Sequence, residues 1–166
     1  MRYVDFLKAT VLLSASSATL LAALTVVRVA STAEPALMEV AVGWWLVAVL
    51  LGGWLGRRHA VSPPIARLLA DARMQMSLPE LRPGLTLINR LWPLLFSTLG
   101  AAILGAFLPQ VAAVAAGFTI IWALAWRRQD AAVSAIEERD GFRFYIDKTP
   151  PLAPIRLVRT RGLMAG

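Results

Sequence analysis

Residues 90–128 read RLWPLLFSTLGAAILGAFLPQVAAVAAGFTIIWALAWRR, with no ionisable side chain between Arg90 and Arg127. A membrane crossing takes about 17–25 residues, so this run is too long for one crossing and suits two short ones. Pro109 lacks the backbone donor that a helix interior needs, which makes it the natural place for the chain to turn back. The stretch is expected to form a helical hairpin, spans three and four. Its two ends are pinned on the same side by Arg90 and by Arg127 with Arg128.

Two further charge-free stretches precede it. Residues 9–27 make a first span whose middle carries Ser14, Ser16, Ser17 and Thr19. Such hydroxyls bond the carbonyl one turn back and need no outside partner. A polar lining for a substrate path is one reading, and close helix packing through small residues is the favoured one. A cleaved leader with Ser31 and Ala33 before Glu34 is the rival for this segment. The apolar run exceeds the usual length of about 7–15 residues and Arg28 stands between it and the candidate cut, so retention is expected. Residues 40–55 make the second span, with Trp44 and Trp45 near its start and Trp54 at its end, where indoles favour a headgroup interface. Gly52 and Gly56 have the GxxxG spacing, a weak sign of close helix approach. In the third span, residues 91–108, Pro93 is expected in the first turn, where a missing amide costs nothing. Small residues around Gly105 and Ala113 should let spans three and four approach each other near the turn.

The formal charge of +7 would suggest nucleic acid in a soluble protein. Here the basic residues flank apolar runs, and no nucleic-acid partner is expected. All 17 Lys and Arg except Arg28 lie before the first span, between the second and third, or after the fourth. The positive-inside rule then puts both termini in the cytoplasm and the Pro109–Gln110 turn outside, in a bacterial-type cytoplasmic membrane. Arg57, Arg58, Arg90, Arg127 and Arg128 are candidates for anionic lipid headgroups.

Residues 63–76 predict an amphipathic helix. Ser62-Pro63-Pro64 has the form of a helix start, and Ile65, Leu68, Leu69, Ala72 and Met76 share one face opposite Arg67, Asp71 and Gln75. It should lie in the membrane surface or pack on the tail, with Pro79 and Pro83-Gly84 ending it. Helix should continue after Arg128 until Asp140-Gly141. Residues 142–147 then alternate Phe142, Phe144 and Ile146 against Arg143, Tyr145 and Asp147, which is strand period. Residues 155–161 form a second strand candidate. A lone two-stranded hairpin is marginal in water, so the tail must dock, and Phe142, Phe144, Ile146, Ile155 and Leu157 are the candidate partner-docking residues. The expected architecture is an all-α membrane protein with four transmembrane helices, a cytoplasmic amphipathic helix and a small β-hairpin-like tail. Its domains are residues 1–139, including the loop 57–90, and the tail 140–166.

The available chemistry is narrow. There is no cysteine and a single histidine, His59. This excludes disulfides, thiolate metal sites and bis-histidine haem within one copy. No phosphate-binding loop, dinucleotide fingerprint, zinc motif or catalytic triad motif occurs. The spans carry no ionisable group, which argues against proton coupling. Glu137, Glu138, Asp140 and Asp147 are interleaved with Arg139, Arg143 and Lys148, a mixture expected to be a solvated face rather than an acid–base pair. His59 beside Arg57 and Arg58 reads as an interfacial anchor before it reads as a phosphate site. No catalytic, cofactor-binding or metal-ligating set is expected. The chain reads as a non-enzymatic membrane accessory or scaffold protein with a protein partner or a homo-oligomeric state. The alternative is a small oligomeric transporter or channel, and an enzyme acting on lipid headgroups comes third.

Overall fold

The computed structural model describes residues 1–32, 35–57, 60–74, 83–147, 149–150 and 153–161. In chain order they form α1 (Tyr3–Thr32), α2 (Pro35–Leu55), α3 (Pro63–Ala70), β1 (Arg73–Met74), α4 (Pro83–Gly105), α5 (Pro109–Trp126), α6 (Gln129–Asp140), β2 (Phe142–Ile146) and β3 (Leu157–Arg161). The chain is mostly helical, and four helical stretches, Tyr3–Ser31, Pro35–Leu55, Pro83–Gly105 and Pro109–Asp140, are long and apolar enough to cross a membrane. Packing divides the chain into two units. A helical unit comprises Thr10–Arg57 and Trp92–Arg127, and a mixed unit gathers Met1–Ala9, Arg58–Leu91 and Arg128–Gly166. The tail therefore shares its unit with the chain's first residues and with the central loop.

In the helical unit, α2 packs chiefly on α5. The seam is the GxxxG pair. A Cβ added at Gly52 would lie 2.9 Å from the Leu124 Cβ and 3.0 Å from the Ile121 Cα, and one at Gly56 would overlap the Leu124 carbonyl oxygen. The motif is thus used within the chain. Trp44 and Trp45 add to the same contact, their indole N–H groups donating to the α5 carbonyls of Val114 (3.2 Å) and Ala113 (2.9 Å). The expectation of headgroup-facing indoles is accordingly replaced for this pair by a helix–helix role.

The hydroxyls of α1 behave as packing groups. Ser14 and Thr25 are fully buried and donate back to the carbonyls of Thr10 and Leu21, each at 2.8 Å. The Thr98 hydroxyl donates to Ser17 Oγ at 3.1 Å and ties α4 to α1. Leu21 packs with Ala112 and Ala116 of α5, with Ala101 and Ala102 of α4 against them.

The hairpin of α4 and α5 forms, with one correction at its turn. Pro109 is not the tip. It opens α5 as the first helical residue, where its fixed φ and missing N–H suit the position. The turn is residues 106–108, closed by Leu108 N–H donating to Leu104 O at 2.7 Å and by Val111 N–H donating to Leu108 O at 3.0 Å. A second correction concerns Pro83 and Pro93. Pro83 begins α4 instead of bending the chain ahead of it, so Pro93 lies inside the helix, where it cannot donate to the carbonyl of Asn89. Large exposed apolar side chains stand on α2 (Leu46, Leu50), on α4 (Phe96, Ile103) and at the turn (Phe107). That surface suits hydrocarbon.

Close approach at the turn gives a direct expectation. A Cβ at Gly105 would stand 2.5 Å from the Ala112 Cβ, whereas Leu104 is 53% exposed. Gly105→Leu should destabilise the protein by about 1–3 kcal/mol through overpacking, and Leu104→Ala should change little. Thermal unfolding of both variants in detergent checks this, and equal melting temperatures would refute the close approach.

Candidate functional site

The mixed unit has its own core, built from three distant parts of the chain. The opening residues belong to it, with Tyr3, Val4 and Leu7 all nearly inaccessible. Ile65 and Leu69 of α3, Val133 of α6 and Leu157 of β3 are buried with them in this unit. The expected helix over residues 63–76 ends early. α3 stops at Ala70 with Asp71 as its C-cap, and Arg73–Met74 leaves the helix to form a strand. Ile65, Leu69 and Ala72 are buried and Arg67 is exposed, as the helical wheel requires, while Gln75, Met76 and Pro79 lie outside the described residues.

The two tail strands pair antiparallel as expected, but not alone. They are part of a three-stranded sheet of order β1-β3-β2, with β1 parallel to β3 and β2 antiparallel to it. The outer edge of β2 is covered in turn by the N-terminus. Arg2 bridges to Tyr145, and Ile146 N–H donates to Met1 O at 3.1 Å. The strand alternation is half met. Phe144, Ile146 and Leu157 are buried and Arg143 is exposed, as the period requires, but Tyr145 is buried too because its face is covered within the unit. Phe142 is half-buried with the Arg159 guanidinium 5.5 Å over its ring, and Ile155 is half-buried. The docking need inferred for the tail is thus met inside the chain.

One polar node holds these parts together. Glu137, only 5% exposed, accepts from the Phe144 N–H through Oε1 at 2.9 Å and from the Arg2 guanidinium through Oε2 at 2.8 Å. The carboxylate raises the Arg2 pKa further above its already high ordinary value. Glu137 is therefore a structural group and not a member of a solvated face. Its neighbours do match that description. Glu138 is exposed and Arg139 pairs with Asp140 at 2.7 Å in the open, where such pairs contribute little. α6 ends at Gly141, whose φ of 68° is the left-handed conformation glycine tolerates, and its N–H returns to Glu137 O at 3.0 Å. Gln129, also buried, accepts from the Ser62 N–H at 2.9 Å and anchors the start of α3.

The five headgroup candidates separate. Arg90 is turned onto the tail, donating to the Ala153 carbonyl and to Thr149 Oγ1. Arg57 and Arg127 are exposed, Arg128 is half-buried, and Arg58 lies outside the described residues with His59.

Next to the sheet is a cleft of about 370 Å³. Its polar lining is Asp71, Arg73, Asp147 and Arg156, and Leu68 and Ile155 contribute apolar wall. The register explains the grouping. Arg73 pairs with Val158 and Tyr145 pairs with Val158. Arg156 and Asp147 each lie two residues along the same strand paths, so all three fall on one face. Asp147 N–H donates to Arg156 O at 2.9 Å and keeps them level. This cleft was not legible in the sequence, because β1 is two residues long and pairs across more than eighty positions. Among the described residues no three His, Cys, Asp or Glu side chains gather as a metal site. No protein-family model matches the chain, and no curated protein or solved structure is significantly similar to it.

Two substitutions probe the unit. Glu137→Ala should cost roughly 1–3 kcal/mol by orphaning the buried Phe144 amide, whereas exposed Glu138→Ala should be nearly silent. Equal melting temperatures for the two would remove Glu137 from the node. Phe144→Asp should lower stability by more than the ~1.5–3 kcal/mol of a lost buried side chain, and limited proteolysis should then cut the tail. An intact, equally stable tail would contradict its intramolecular docking.

Proposed function

We propose that this chain is a non-enzymatic integral membrane accessory or scaffold protein that presents a folded basic unit to a protein partner at the cytoplasmic face of a bacterial-type membrane. The observation that carries this reading is the composition of the mixed unit. The three segments that hold all the Lys and Arg except Arg28 are the segments that supply this unit, apart from boundary residues such as Arg57 and Arg127. With four crossings those segments share one side, and their positive charge makes that side cytoplasmic. The apolar stretches at residues 9–27, 40–55 and 91–126 supply no ionisable group for coupled transport. Their small-residue seams are filled by the chain's own helices, so the partner's place is on the mixed unit. The strand side chains Phe144, Ile146 and Leu157 are already covered, which leaves the exterior of that unit, with exposed Arg67, Arg73, Arg143 and Arg156, as the presented surface.

A small oligomeric transporter or channel is the second reading. It is supported by α4, whose span is the least buried of the four. Purification in mild detergent separates the two. A reproducible foreign partner is expected, and a homogeneous homo-oligomer without one would favour transport. For orientation, a reporter active only outside the cytoplasm should give signal when fused after Gln110 and none after Arg139. The opposite pattern would reverse the topology.

A further inference from the structure

We infer that the cleft beside the sheet binds a small zwitterion with an apolar body, a role that goes beyond an accessory function. The lining has both signs of charge and an apolar wall, and Asp71, Arg73 and Arg156 are not used up on one another. Among the described residues, the Arg73 and Arg156 guanidiniums and the Asp71 carboxylate form no ion pair or side-chain hydrogen bond, and all three are exposed. Elsewhere in the same unit, Arg2 and Arg90 are engaged with protein groups. Two guanidiniums on one face of the sheet offer forked donors suited to a carboxylate or phosphate. Asp71, as the C-cap of α3, stands two residues before Arg73 and supplies an acceptor for an ammonium group. Leu68, Pro154 and Ile155 line the same cleft and favour an apolar portion. At about 370 Å³ the space lies at the small end of ligand sites, which run from about 300 to 1,000 Å³, so the ligand is small.

An anionic group and a primary ammonium a few bonds apart occur in a free apolar α-amino acid and in an ethanolamine phosphate headgroup. The full chain in detergent is titrated calorimetrically with L-leucine and, separately, with glycerophosphoethanolamine. Saturable binding of one of them is expected, weakened at least about tenfold by Asp71→Asn and by Arg156→Gln, a loss of about 1.4 kcal/mol each. Leucine binding assigns the site to a free amino acid, and glycerophosphoethanolamine binding assigns it to the headgroup. Leucine methyl ester and 4-methylpentanoate, which each lack one charge, test the same point without mutation and should both bind at least tenfold more weakly than leucine if leucine is the ligand. Absence of binding for both zwitterions would overturn the inference. So would binding that neither variant weakens, or single-charge analogues that bind as well as the zwitterion.

Discussion

The mixed unit depends on a buried carboxylate with two simultaneous obligations. Glu137 satisfies the amide of the first buried residue of β2 and neutralises a guanidinium from the second residue of the chain. A buried carboxylate without partners costs several kcal/mol, so the fold is committed to bringing α6, β2 and the N-terminus to one place. Once they meet there, the edge of β2 is closed by Met1 and Arg2, and the aromatic side of the opening helix has a core to enter. The hydrogen bonds from Gln129 to α3 and from Arg90 to residues 149 and 153 repeat the device at two more places. In each, one polar side chain ties together segments that are far apart in the chain.

The helical unit uses the opposite means. Its seams rely on the absence of side chains. Gly52, Gly56 and Gly105 let backbones come to contact distance, and Ser14 and Thr25 satisfy themselves locally. The indoles of Trp44 and Trp45 donate to carbonyls that already belong to α5. Such pairings suit a medium that offers no water to compete for the donors.

What could be read in advance follows the range of the interaction. The four apolar helices, the hairpin with its small residues, the stop at Asp140-Gly141 and the two tail strands are written in local period and in local breakers. Pro109 was recognisable as a break, but proline marks a first helical residue as readily as a turn, and only tertiary structure distinguished the two. The sites that escaped are those made by distant pairing. Arg73 and Met74 continue the helical pattern of α3 and leave it only because β3 offers a parallel edge. Glu137 sits in a run of charges that looks solvated, and nothing local shows that Phe144 N–H and Arg2 will meet it. Nothing local in the opening MRYVDFLK shows that Tyr3, Val4 and Leu7 will be buried. The cleft, which requires β1, β3 and the end of β2 together, could not have been seen without them.

The span of the Arg2–Glu137 pair, 135 residues, bears on how the molecule is made. Tyr3, Val4 and Leu7 are translated well before the strands that share their unit. Until those strands are made, these apolar side chains wait without that cover. Long-range closure of this kind is slow and leaves sticky surface exposed in the interim. A chain cut short before β2 would keep that surface open permanently. Translation of β2 and β3 thus becomes the event that conceals it, and a protease or chaperone that recognises exposed apolar segments could tell copies that have these strands from copies that lack them.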